Sequence, residues 1–454
     1  MMTKRNSARR RTPDFLQDEG GAATGFGLIM MVLLLMFAGL AIDAAQFNAA
    51  RTQLQTAADS AAHAALVARI RDRQDEGDAK NVALELVEAN MPKGRFGQTV
   101  TADDIEFGSW NPDPDSPYEH WFEPNNTALP DAARVIAWRN EGRLNAVRTF
   151  LLRLVGVDEL AAATPSVFAT YQPICLREGM VAEGKVDVQS NNVYLRGFCI
   201  HSESYVSINQ NNTFEEGTIV SMPDLELLEL PNSGYEQNDG LEAALREGEL
   251  DVRILRQMDA IIDGLLTGDP HYVPQDYITV PGNATQTLSS NNNEITAADL
   301  EPNRVNHLDC TTHNGSISIP SGELIEELVI VTNCDVKLGS GATLEDVVLA
   351  TTSTDSRSID GASDVSIGRD DDCAVGGGTQ VLTMGGMRFP SNLGIFGGQL
   401  LAQGDINFAA RADGIQGASM VAGGEIDGTS NSSMARCDSG MEGNFEVEYF
   451  RMAM

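Results

Sequence analysis

No charged residue occurs between positions 20 and 42, and no cysteine occurs before position 175. Lysine plus arginine number only 31 against 65 aspartates and glutamates in 454 residues, a formal net charge of −34. A surface of that sign repels phosphate backbones, so nucleic acid is not expected as a partner. Histidine is scarce at six residues and tryptophan at three. The chain has no His-Glu-x-x-His, no P-loop, no Gly-x-Ser-x-Gly and no Cys-x-x-Cys pair. Those arrangements place a metal, a phosphate or an activated nucleophile. The expectation is a protein that is not an enzyme and carries no cofactor.

The missing charge has a direct structural meaning. Residues 20–42, GGAATGFGLIMMVLLLMFAGLAI, would form a helix of roughly 34 Å, enough to cross the hydrocarbon core of a bilayer. The flank before it carries Lys4, Arg5, Arg9, Arg10 and Arg11, with Asp14, Asp18 and Glu19 closer in. Basic residues set orientation and acidic ones count for little, so this flank is expected in the cytoplasm and the rest across the membrane. A cleaved secretory signal is the competing reading. The run is too long for one, and no small-residue cleavage site followed by a turn ends it. An alanine-rich stretch, DAAQFNAARTQLQTAADSAAHAALVAR, continues the helix instead.

That continuation carries a family resemblance. Ile42-Asp43, Ala50-Arg51 and Leu54-Gln55-Thr56-Ala57-Ala58-Asp59-Ser60-Ala61-Ala62 resemble the N-terminal segment of TadG-like (TadE/TadG-like) proteins, components of Tad/Flp pilus assembly. The motif residues are Asp43, Arg51, Leu54, Gln55, Ala58 and Asp59. Small residues at 57, 58, 61, 62, 64 and 65 would let another helix or a sheet approach closely. Asp43 and Arg51 read as solvated charges at the membrane boundary. Strands are expected near 104–111, 133–139 and 164–171, with a short apolar helix Phe150–Val155 stopped by Gly156. The resemblance implies a pilin-like α+β region on the exposed half of the helix. It also implies a place in the bacterial inner membrane and other pilus-assembly proteins as partners. Homo- or hetero-oligomers through the N-terminal helix would fit it. A pilin that polymerises needs a glycine followed five residues later by glutamate at the start of its apolar run, and none is present. A retained anchor is expected rather than a polymerising subunit.

The six cysteines, Cys175, Cys199, Cys310, Cys334, Cys373 and Cys437, all follow the helix. An even count on one side of a membrane suits an oxidising periplasm or cell exterior. The matching spacing of Cys175–Cys199 and Cys310–Cys334 favours sequential disulfides. His307, Cys310 and His313 allow a metal site in principle, but the spacing supplies no fourth ligand. Asp370-Asp371-Asp372 could face a cation and reads better as a solvated acidic turn. The metal-site pattern of a von Willebrand A domain is absent, since Asp364 and Ser366 are followed by Gly368.

From about residue 180 the chain repeats itself. Residues 187–201 align on 207–221, residues 322–332 on 341–351, and LLAQGDI (400–406) on MVAGGEI (420–426). A period near 20 residues, with Asn-Asn and Gly at the corners, predicts a β-solenoid of stacked turns. A β-sandwich is the alternative. The expected organisation is a basic tail (1–19), a transmembrane helix (20–42), a helix extension with the pilin-like region (43–172), and a β-rich domain (173–454). That last domain would carry a helical insertion near 222–310 and a final strand in FEVEYF (445–450). Two function classes fit: a non-enzymatic assembly component presenting a β-rich domain to other proteins, or an anchored adhesin that binds glycans.

Overall fold

A computed structural model describes residues 20–112, 121–125, 130–289, 292–311, 315–437 and 439–454. The basic flank and His313 lie outside the described residues. The chain divides into two compact units, one ending at Tyr171 and resumed at Glu448–Met454, the other spanning Gln172–Val447.

The first unit is built on helix α1, Gly20–Ile70, unbroken over 51 residues. It is long and apolar enough to cross a membrane. From Thr24 to Ile42 its side chains are exposed, with Gly39 the exception. The second half buries Ala50, Leu54, Ala57, Ala58, Ala61, Ala62 and Ala65, a stripe repeating every three to four residues along one face. Helix α2, Glu76–Asn90, starts where the Asp75 carboxylate accepts the Asp78 N–H at 2.9 Å. It packs Ala79, Ala83 and Val87 into the same core.

Six strands follow: β1 (Ile105–Trp110), β2 (Phe122–Pro124), β3 (Ala132–Arg139), β4 (Val147–Arg148), β5 (Glu159–Leu160) and β6 (Ala162–Tyr171). The antiparallel sheet runs β2-β1-β3-β6, and a terminal strand Tyr449–Met452 closes it beside β6. Ile105, Phe107, Val135 and Ala137 meet the alanine stripe of α1 in one core. The three expected strands are present. The expected apolar helix is a 3-10 turn, Leu152–Val155, ended by Gly156 in the left-handed region at φ 89°. The final segment needs correction. The strand starts at Tyr449 and does not belong to the β-rich domain; Tyr449 pairs with Tyr171, so the strands that leave and re-enter the first unit are neighbours. The second unit is therefore an insertion in the first, and ends at Val447 rather than 454.

The second unit is mainly β, and all its strand pairings are parallel among the described residues. An antiparallel sandwich does not fit this. The registers match all three sequence alignments: Val188 pairs with Ile208, Ile325 with Leu344 and Leu400 with Met420. Successive pairings stack one apolar row, Ile330–Leu349–Val381–Leu400–Met420–Met180–Ile200–Val220. Each of these side chains is buried in one core.

That row reveals the chain order. Gly179–Ala182, the first strand, sits between Cys199–Ser202 and Ser419–Ala422. The chain thus enters mid-ladder and proceeds to one end at Leu245–Glu247. It crosses to the other end at Asn283–Leu288, then returns to meet its own first turn. The helical insertion shrinks accordingly to 248–282, because 219–222, 238–239, 245–247, 283–288, 292–294 and 305–310 are ladder strands. Within it, helix Met258–Thr267 buries Met258, Ile261, Ile262 and Leu265 as its apolar spacing requires.

Asparagine holds the corners. Asn191, Asn211 and Asn431 adopt left-handed φ near 60°, which asparagine tolerates better than most residues. Asn211 donates to Asn191 at 3.2 Å, and Asn191 donates to Asn431 at 3.1 Å. Beside them runs a buried ladder: the Asn192 N–H donates to the Asn212 side chain at 2.9 Å, and the Asn212 N–H to that of Asn238 at 3.1 Å.

Candidate functional site

The motif residues of α1 divide by role. Leu54 and Ala58 are fully buried under the sheet. Gln55 donates to the Asp59 carboxylate at 2.7 Å and to the Pro165 carbonyl of β6 at 3.2 Å. One amide thus ties the helix to the sheet while orienting the acid one turn on. The stripe of small residues is occupied by this chain's own sheet and α2, so it is not free for a second helix. Arg51 is exposed.

Asp43 corrects the expectation of a solvated charge. It is 2% exposed, and its carboxylate accepts backbone N–H groups from Phe150, Leu151 (2.8 Å) and Leu152 (2.7 Å). Three donors saturate a charge that burial would otherwise penalise. The segment it holds is the tip of the β4–β5 hairpin, whose neck closes by Thr149 N–H donating to the Asp158 carbonyl at 3.0 Å. Asp43→Ala is expected to speed hydrogen exchange of the 150–152 amides roughly tenfold or more, leaving β3 unchanged. Unaltered exchange at those three amides would show that the clasp does not hold the tip.

In the second unit the cysteines pair as Cys175–Cys199, Cys310–Cys334 and Cys373–Cys437. Cys310 is therefore not a free ligand beside His307. Among the described residues no three His, Cys, Asp or Glu side chains gather as a metal cluster. Asp371 instead accepts the Ala374 N–H at 3.0 Å, closing a turn. Glu178 is buried where first and last turns meet, accepting N–H donors from Cys437 and from Arg436 at 3.3 Å. Burial pushes its carboxyl up; the Cys437 N–H and the Arg436 guanidinium oppose this without cancelling it.

Residues 179–438 match the family described as a domain of unknown function, DUF7867. The chain belongs to that family. Its match starts at the first ladder strand and stops just past Cys437, so the DUF7867 domain coincides with the parallel ladder and includes its out-of-order closure. Residues 20–69 match the Flp pilus-assembly TadE/G-like family, and this match coincides with α1. The N-terminal region is thus a Tad-family domain, which supports involvement in a pilus system. No curated protein and no solved structure matches the chain.

Sequence reasoning missed the meeting of first and last turns. A signal existed: MVAEGKV (180–186) resembles MVAGGEI (420–426) as closely as LLAQGDI does. It also missed the Asp43 clasp, because its donors are backbone groups more than a hundred residues away.

Proposed function

We propose that this chain is a membrane-anchored, non-enzymatic component of a Tad/Flp-type pilus-assembly system, whose DUF7867 domain is a β-solenoid presented for protein contacts. The observation that carries the reading is the match of α1 to the Tad family, with Gln55 and Asp59 of the motif engaged on the sheet. The parallel registers and the single apolar row support the solenoid. Three disulfides support an oxidising compartment for the second unit. The basic flank supports a cytoplasmic N-terminal side and an inner-membrane location.

Deleting the gene is expected to remove surface pili, scored by electron microscopy, and re-expression to restore them. Intact pili with lost attachment would overturn the assembly role in favour of a glycan-binding adhesin. Protease added to spheroplasts should digest the bulk of the chain; protection of that bulk would reverse the orientation.

A further inference from the structure

The β4–β5 hairpin ends in an apolar tip, TFLLRLVGVD, that the fold leaves uncovered. Phe150 is 55% exposed, and Leu154 and Val155 are each 75% exposed. In water, such a cluster on a short hairpin is unfavourable, since each apolar side chain left exposed forgoes its burial. Its position explains it. Asp43, the first charge after the uncharged run, holds the backbone of Phe150, Leu151 and Leu152. One turn back, Leu151 rests directly on Gly39, so closely that a Cβ there would fall 1.5 Å from its Cδ1. Between Thr24 and Ala49, Gly39 and Asp43 are the two buried positions of α1.

We infer that residues 150–157 form a second membrane-contacting element, a monotopic loop whose apolar side chains enter the same bilayer leaflet that α1 exits. The inference rests on α1 being a membrane anchor. Four helical rises carry the chain from Gly39 to Asp43, about 6 Å along the axis, so a tip seated on Gly39 lies below the plane marked by Asp43. The hydrocarbon there accepts Leu154 and Val155 as it accepts the exposed Leu40 and Ile42. The backbone polar groups at that depth are answered internally: the Asp43 carboxylate takes three N–H groups, and a 3-10 turn and the Gly156 cap take more. Arg148 precedes the apolar residues and Arg153 stands among them, and long basic side chains can reach up to lipid phosphates from below the boundary. A protein partner would also cover an apolar patch. Lipid is favoured because the patch is continuous with the uncharged face of α1 and clasped at its exit.

All six cysteines are paired, so one introduced cysteine gives a unique thiol for an environment-sensitive fluorophore. Three full-length variants, Val155→Cys, Leu34→Cys and Glu85→Cys, are labelled and reconstituted into phosphatidylcholine–phosphatidylglycerol vesicles. Leu34 probes the anchor and Glu85, exposed on α2, probes water. The expected result is blue-shifted emission at positions 34 and 155, quenched several-fold by nitroxide-labelled acyl chains, with position 85 quenched only by aqueous iodide. If 155 behaves like 85 while 34 is lipid-quenched, the loop inference fails and the anchor stands. Shielding of 155 from both quenchers would also overturn it, by showing protein over the tip. Iodide quenching at 34 would instead remove the anchor reading.

Discussion

Gly368→Ala is expected to destabilise the ladder by about 2–5 kcal/mol, combining left-handed backbone strain with overpacking. Gly368 follows the strand Ser366–Ile367 and turns the chain at φ 84°. A side chain is disfavoured by that conformation alone. Space forbids it as well: an added Cβ would sit 1.7 Å from the Phe396 carbonyl oxygen. That atom belongs to a strand paired on both sides, with Ile395 against Ile367 and against Ile415, so it cannot retreat without breaking ladder hydrogen bonds. Denaturant unfolding of the detergent-solubilised chain, followed by circular dichroism, checks the magnitude. Gly248→Ala is the control. That glycine has no positive φ and nothing within 4 Å of an added Cβ, so its midpoint should stay unchanged. A Gly368→Ala midpoint equal to that of Gly248→Ala would mean the turn is not rigid.

The second large effect is loss of the Cys373–Cys437 bond. Its partners are 64 residues apart, against 24 for each of the others. In the chain-entropy model, closing the longer loop restricts the unfolded state most, by roughly 4 kcal/mol against roughly 3.5 for a shorter one. The bond also has a place in the topology. It ties the segment after the last ladder strand to the loop between Ser366–Ile367 and Thr379–Thr383, next to the Glu178–Cys437 contact. The pair Cys373→Ala and Cys437→Ala should therefore lower the unfolding midpoint more than Cys310→Ala with Cys334→Ala. It should also expose 179–182 and 419–422 to hydrogen exchange. The reverse ranking would show that burial of Cys334, fully enclosed in the core, outweighs loop length.

Much of this was legible because its causes are local. The absence of charge over 20–42 dictates a helix able to cross a bilayer, whatever follows it. The alanine stripe from 50 to 65 needs only helical periodicity to be read. Recurrence near 20 residues betrayed the parallel pairing, since neighbouring turns with the same inward pattern stack in register. The polar stretch NATQTL (283–288) gave no such pattern, and its place as an end strand went unread.

What the amino-acid order determined by itself is the apolar helix with its Tad motif, the repeat near 20 residues, the left-handed asparagine corners and the two cysteine pairs spaced 24 residues apart. Each depends on residues within about one turn of one another. Only the tertiary structure decided that Met180 stacks between Ile200 and Met420, that Tyr449 returns to Tyr171, and that Asp43 is a clasp rather than a solvated charge. Parallel strands of similar lining can stack in many orders, and a carboxylate can meet any backbone N–H brought to it. The choice among them belongs to the packing of the whole chain.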